Sequence, residues 1–145
     1  MPNVIEIAKA AVTAYNEKNW SKAKDILAAD AMYDEKGTQR RIQGAGEIIE
    51  AWQGWAKAFP DSKATFVREF ASGETVVLEL VWKGVHTGSL QTPTGTIPPS
   101  NKPIELPACQ VVRVEGGKVK RASHYFDMLT MLTQIGATGA VKTAA

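Results

Sequence analysis

The amino-acid sequence predicts an α+β domain in which helices pack on one face of a curved, largely antiparallel sheet. Apolar residues recur at helical spacing from Ile5 to Phe59, whereas from Lys63 onward they alternate with polar residues, as in half-buried strands. Helices followed by a run of antiparallel strands are typical of this fold class. The chain has 145 residues, which suits one domain, so we assign residues 1–145 to a single domain.

Three helices are predicted in the first part of the chain. The first presents four residues on one face and ends near Asn19: Ile5, Ala8, Val12 and Tyr15. Ser21 is the expected N-cap of a short second helix that ends at Leu27. Residues 31–35 form a short extended piece, and a third helix runs from about Gly46 to Phe59, where Pro60 ends it.

Four strands are predicted after these helices, and they form two hairpins. They cover residues 64–72, 75–87, 104–115 and 118–126. Gly73 and Glu74 make the first turn, and Gly116 and Gly117 make a type I′ turn in the second hairpin. The hairpins are joined by residues 87–103, a loop rich in Pro and Gly. Because long loops in compact domains are often functional, we expect it to be a lid or rim of a cavity.

Composition and charge exclude several classes of function. Seventeen basic and 15 acidic residues give a net charge of +2 without any basic run, so a nucleic-acid platform is not expected. The single cysteine, Cys109, cannot form an intramolecular disulfide or a cysteine-based metal site. No secretory signal pattern and no apolar stretch of roughly 20 residues are found. We therefore expect a cytoplasmic protein with no membrane partner.

Asp127 lies where the last strand gives way to an amphipathic helix. The apolar residues after it recur at helical spacing, and Gly136 follows as a C-terminal stop. Aspartate at such a junction can cap the helix, because the first N–H groups of a helix lack partners. It can also face into a pocket and act as an acid or base. The sequence leaves both roles open.

The second hairpin predicts which side chains share a face with Asp127. A two-residue turn pairs Val114 with Val119 and places Gln110 opposite Ser123. Strict alternation then puts Gln110, Ser123 and Tyr125 on the same face as Asp127, and this face lines a pocket if Asp127 points inward. His124 alternates away from Asp127 and is expected on the outer face or in a dimer interface.

Four motifs together resemble a known family. They are YFDMLTMLTQIG at residues 125–136, HTG at 86–88, PTG at 93–95 and EGGKVK at 115–120. In this order they resemble the SnoaL-like polyketide cyclases of the nuclear transport factor 2-like superfamily, over nearly the whole chain. The resemblance implies a cone-shaped α+β barrel, whose curved antiparallel or mixed sheet wraps around the N-terminal helices and encloses an apolar pocket. It also implies a homodimer.

The resemblance further implies cofactor-free acid/base chemistry, with no metal. Asp127 matches the aspartate that serves as acid and base in aldol ring closure, and His86 matches the histidine of the HTG motif. The substrate would be an apolar carbonyl compound, polyketide- or steroid-like. Six residues are the expected contacts of this hydrophobic ligand: Tyr15, Trp52, Trp55, Trp82, Gln110 and Tyr125.

Two alternatives stay open beside the cyclase. Tyr15 with Asp34 or Glu35 resembles the catalytic pair of ketosteroid isomerases, but the second acid of that branch is replaced by Ala108, Cys109 and Gln110. The other alternative is a dimeric small-molecule-binding module without catalysis. In that case Asp127 only caps a helix, His86 only makes structural hydrogen bonds, and the tryptophans belong to the core.

Overall fold

The computed structural model describes residues 3–93 and 95–138. Four helices and eight strands lie within these residues. The helices are α1 (Val4–Asn16), α2 (Trp20–Ile26), α3 (Ala45–Ala58) and α4 (Met128–Gln134). The strands are β1 (Leu27–Glu35), β2 (Arg40–Gln43), β3 (Lys63–Ser72), β4 (Thr75–Val85), β5 (Leu90–Thr92), β6 (Gly95–Ile97), β7 (Pro103–Glu115) and β8 (Lys118–Phe126).

Six strands form one curved, mixed sheet in the order β2-β1-β8-β7-β4-β3. Strand β1 runs parallel to β8, and all other neighbours in this sheet are antiparallel. The sheet does not close on itself, which is consistent with a cone that opens at one side. Helices α1 and α3 pack on its inner face. This confirms the predicted α+β class.

The core lies between the helices and the inner face of the sheet. Alternation along β4 buries Val76, Leu78 and Leu80 completely, while Glu79 and Lys83 on the outer face form ion pairs. Removing each such apolar side chain from water stabilises the fold by roughly 1.5–3 kcal/mol. The alternation predicted from Lys63 onward is therefore confirmed in β4.

Several predicted element boundaries are wrong. Helix α1 ends at Asn16, because the chain turns with Lys18 at a positive φ of 54°. Asn19, not Ser21, caps α2 by accepting a hydrogen bond from the Lys22 N–H. The extended piece predicted for residues 31–35 is the end of the longer strand β1, and β2 was not predicted. The long loop also contains the small β5–β6 hairpin.

A β-bulge in β8 overturns the predicted register of the second hairpin. Gly116 and Gly117 both have positive φ, as a type I′ turn requires, and Val114 pairs with Val119 as expected. Arg113, however, pairs with Arg121, so Lys120 is an extra residue without a partner on β7. Beyond the bulge every side chain of β8 changes face. Gln110 consequently lies opposite His124 instead of Ser123.

Helix α4 begins with Asp127 as its N-cap. The Asp127 Oδ1 atom accepts hydrogen bonds from the N–H groups of Leu129 (3.0 Å) and Thr130 (3.4 Å), and Oδ2 accepts one from the Thr130 hydroxyl (2.9 Å). These bonds satisfy two of the N–H groups that have no partner inside the helix. Led by the bond from the Thr130 side chain, they lower the pKa of Asp127.

We expect Asp127→Ala to lower the Tm at pH 7 and Asp127→Asn to lower it less, because Asn is also a good N-cap. Since the folded-state pKa of Asp127 is lowered, its contribution to stability is complete above the ordinary pKa of about 3.9 and is lost as the pH falls through the folded value. Thermal unfolding of both variants between about pH 7 and pH 2 checks this.

Glu50→Ala is the control for this prediction, since Glu50 is an exposed helical carboxylate with no hydrogen bond to the described residues. Equal Tm values for Asp127→Ala and wild type at pH 7 would contradict the capping role.

Candidate functional site

An apolar cavity lies between the helices and the inner face of the sheet. It offers about 80 Å³ to the centres of water-sized spheres, which is enough for several waters or a small organic ligand. Residues from α1, α3, α4, β1, β4, β7 and β8 line it. Seven side chains of the types Phe, Tyr and Trp form much of its wall: Tyr15, Tyr33, Trp52, Trp55, Phe59, Trp82 and Phe126.

Tyr15 is the centre of the aromatic wall. Its ring makes edge-on contacts with Trp20, Trp52 and Trp82, at centroid distances of 5.6, 6.5 and 5.2 Å. Such pairs are more favourable than their buried area alone implies, so they hold the rings in fixed orientations. The Tyr15 hydroxyl shares a hydrogen bond of 2.7 Å with the Ser62 hydroxyl. Burial raises the pKa of Tyr15 to about 12.

His124 lies inside the cavity wall, so its predicted outer position is wrong. The cause is the bulge at Lys120, which turns His124 inward and buries it. The Trp82 indole donates to Nε2 at 3.2 Å, and Nδ1 lies 2.7 Å from the Tyr33 hydroxyl. Burial lowers the pKa of His124 to about 3, because desolvation disfavours the charged imidazolium.

Gln110 brings an amide into an otherwise apolar part of the wall. Its neighbours on the adjacent strands are Leu78 and His124. Only 8% of the residue is exposed, and no hydrogen bond joins its side chain to any described residue. Buried polar groups usually have a partner. The Gln110 amide is therefore a group that a ligand could satisfy.

Asp34 and Glu35, the acids of the isomerase alternative, both lie in ion pairs. Glu35 is fully buried and accepts hydrogen bonds from the Trp55 indole (2.8 Å), from Arg40 (2.8 and 3.0 Å) and from Thr38. Asp34 accepts from Arg41 and Arg121, whose bonds lower its pKa. Neither residue lines the cavity. Their catalytic role stays a prediction.

His86 is buried outside the cavity, under the ring of Phe59. Its Nδ1 accepts a hydrogen bond from the Ser100 N–H at 3.1 Å, which ties the long loop to the end of β4. The Gly88 N–H donates a hydrogen bond to the Ala58 carbonyl at the end of α3 (3.0 Å), and a Cβ at Gly88 would lie 1.9 Å from the Lys57 carbonyl oxygen. The HTG motif thus fixes the loop against α3. A catalytic role of His86 stays a prediction.

Two predicted site residues lie away from the cavity. Tyr125 is 47% exposed on the outer face, where the bulge places it, and its expected inward orientation is wrong. Asp127 lies at the surface as the cap of α4, so the expected inward orientation of its carboxylate is also wrong. The other predicted ligand contacts do line the cavity: Tyr15, Trp52, Trp55, Trp82 and Gln110.

Among the cavity residues that were not predicted are two polar aromatic ones, Tyr33 and His124. Tyr33 lies in β1, of which only the last part was predicted. The apolar residues near it in the sequence are isolated, so they show no clear hydrophobic period. His124 was assigned to the wrong face, because nothing in EGGKVKR distinguishes a regular hairpin from a bulged one. The residues of β8 two positions before and after His124 are apolar, and a bulge that turns this face inward would have explained the pattern. This is the signal that could have identified His124.

Helices that are long and apolar enough to cross a membrane are absent from the part of the chain that the structure describes. Cytoplasmic location stays a prediction.

Solved structures from three organisms share this fold. IdmH from Streptomyces antibioticus, whose assignment as a polyketide cyclase is provisional, is 22% identical with a TM-score of 0.80; 93% of this chain and 99% of IdmH are covered. A protein from Jannaschia sp. CCS1, provisionally assigned as a SnoaL-like polyketide cyclase, is 15% identical with a TM-score of 0.82; 92% of each chain is covered.

The third structure is a protein of ketosteroid isomerase-like fold from Catenulispora acidiphila, in complex with trimethylamine. It is 21% identical with a TM-score of 0.76, and 90% of this chain and 92% of that chain are covered. Among curated proteins, none matches the sequence. Identities this low show the fold alone. The sequence model of the SnoaL-like polyketide cyclases, however, matches residues 5–135, nearly the whole length. The chain therefore belongs to the SnoaL-like polyketide cyclase family.

Proposed function

We propose that the cavity binds a small, largely apolar carbonyl compound without a cofactor. The observation that carries the proposal is the Gln110 amide, which is buried in an apolar wall and has no partner among the described residues. Ligand sites are typically apolar pockets with a few polar groups that orient the ligand. A carbonyl oxygen would accept a hydrogen bond from this amide, while Trp52 and Trp82 contact the apolar part of the ligand.

The groups that line the cavity favour binding over proton abstraction. No aspartate or glutamate is found among the described lining residues. His124 is neutral because its pKa is about 3, and Tyr15 keeps its proton because its pKa is about 12. A general base works best when its pKa is near the working pH. A binding module is therefore the function that this geometry supports best.

Cofactor-free ring closure or proton transfer on a polyketide- or steroid-like compound is the second candidate. Family membership favours it. In this alternative Asp127 is the acid/base and His86 assists, so the reacting carbon would have to reach the start of α4. Asp127→Asn separates the candidates, because it would abolish turnover while leaving the affinity of the cavity unchanged.

We also propose that the protein is a homodimer formed through the outer face of the sheet. Phe70 is 59% exposed and pairs with Val77 on the same face, and Cys109 pairs with the exposed Tyr125. These neighbouring side chains make an apolar patch, and such patches usually mark contact sites. A second copy of the chain presents the same patch, as a two-fold interface requires.

Gln110→Leu is expected to weaken the binding of acetophenone by about fivefold, since one buried hydrogen bond contributes about 1 kcal/mol and about 1.4 kcal/mol corresponds to a tenfold change. The binding of ethylbenzene, which has a similar shape and no carbonyl, should not weaken. NMR titration of the indole N–H signals of Trp52, Trp55 and Trp82 measures both affinities. Gln53→Leu, an exposed glutamine in α3, is the matched control. Equal losses for both ligands would contradict the role of Gln110.

Acetophenone affinity is expected to be constant between about pH 6 and pH 9. The pKa of His124 is about 3 and that of Tyr15 about 12, so neither group changes charge in this range. The same NMR titration at several pH values checks this. A step near the ordinary histidine pKa of about 6.5 would show that a histidine titrates on binding, and would favour acid/base chemistry.

Phe70→Ser is expected to shift the protein from dimer to monomer in sedimentation velocity, because it removes the most exposed aromatic side chain of the proposed interface. Leu129→Ser is the control, since Leu129 is also exposed (53%) but lies on α4. A monomeric wild type, or a dimer that survives Phe70→Ser, would contradict this interface.

A further inference from the structure

Hydrogen bonding in the cavity wall fixes the tautomer of His124. An indole N–H can only donate, so the bond from Trp82 makes Nε2 of His124 an acceptor. A neutral imidazole carries one proton, which must then be on Nδ1. Burial among aromatic rings disfavours a second proton. The only arrangement compatible with these contacts has a neutral ring with Nδ1–H.

This tautomer determines the role of the Tyr33 hydroxyl. His124 Nδ1–H must donate to the Tyr33 oxygen, 2.7 Å away, so the hydroxyl proton of Tyr33 is not used in this bond. The other aromatic neighbour of Tyr33 is Trp52, whose ring centroid is 5.8 Å away and whose indole has no acceptor atom. Among the described residues, no acceptor is bonded to the Tyr33 hydroxyl.

The Tyr33 hydroxyl therefore has a proton to offer inside the cavity. Tyr33 is 3% exposed, and it lines the cavity together with His124 and Gln110. A buried donor that lacks an acceptor destabilises the folded state, and a ligand oxygen would remove this destabilisation. In a chain of hydrogen bonds each donor also strengthens the next. Because the hydrogen bonds are donated in one direction, from Trp82 to His124 and from His124 to Tyr33, the phenol of Tyr33 becomes a stronger donor.

We propose that Tyr33 donates a hydrogen bond to the carbonyl oxygen of the bound ligand, and that Trp82 and His124 orient it for this purpose. This inference rests on the proposed function, because it assumes that a carbonyl compound occupies the cavity. Beyond the proposed function, the inference names Tyr33 as the residue that selects a ligand with a hydrogen-bond-accepting oxygen. Tyr33 is the donor, and His124 and Trp82 are positioning residues. A neutral ketone suits this site, since no charged side chain is found among the described residues that line the cavity.

The tautomer of His124 can be measured without any ligand. Nitrogen-15 NMR at about pH 7 should show a protonated Nδ1 and an unprotonated Nε2, in wild type and in Tyr33→Phe alike. Trp82→Phe removes the donor that fixes the tautomer, so it should raise the population of the Nε2–H form. An Nε2–H tautomer in the wild type would overturn the inference, whatever the ligand.

Tyr33→Phe tests the ligand contact itself. We expect about fivefold weaker binding of acetophenone and unchanged binding of ethylbenzene, since the ring is kept and only the hydroxyl is lost. The carbonyl carbon-13 signal of bound acetophenone should lie downfield in the wild type and move upfield in Tyr33→Phe. A merely structural hydroxyl would not shift this signal. Phe66→Leu, at the inner face of β3 and outside the lining, is the control.

The outcomes separate this inference from the proposed function. If acetophenone and ethylbenzene both fail to bind, the proposed function is overturned and this inference with it. If acetophenone binds and Gln110→Leu weakens it while Tyr33→Phe changes neither the affinity nor the carbonyl signal, only this inference is overturned.

Discussion

The single extra residue in β8 decides the chemistry of the cavity. Lys120 has no partner on β7, and every side chain from Arg121 to Phe126 therefore faces opposite to a regular hairpin. An ion pair between Lys120 and Asp30 lies at the bulge, where the register of β1 against β8 is also irregular. Without the bulge, Ser123 and Tyr125 would face the cavity. With it, a neutral histidine does, and a tyrosine is left on the outer face.

The polar groups of the cavity are arranged so that most of them satisfy one another. Trp82, His124 and Tyr33 form one chain of hydrogen bonds, and Tyr15 pairs with Ser62. Because each group is desolvated, each keeps its neutral form. A cavity wall of neutral donors recognises a neutral acceptor well. It is poorly suited to removing a proton, which needs a base of intermediate pKa.

Periodicity predicted the layers of this fold, because the long segments each have one clear hydrophobic period. Strand β4 and the glycine turn at Gly116 were predicted correctly for that reason. The site was predicted in part: the tryptophans, Tyr15 and Gln110 line the cavity, while Tyr125 does not. A bulge changes the side-chain face without changing composition, so alternation alone could not place His124. Short strands such as β2 have too few residues to show a hydrophobic period, so they could not be predicted in this way.

Membership of a cyclase family does not by itself assign cyclase chemistry to this chain, since a fold can host different sites. In this structure the aspartate of the YFD motif has its oxygens engaged by the first turn of α4, and its pKa is lowered. That environment stabilises the carboxylate and makes it a weaker base. The histidine of the HTG motif holds a loop against α3. The two motif residues thus make structural hydrogen bonds, and the groups that we propose to contact a ligand come from other positions, Gln110 and Tyr33.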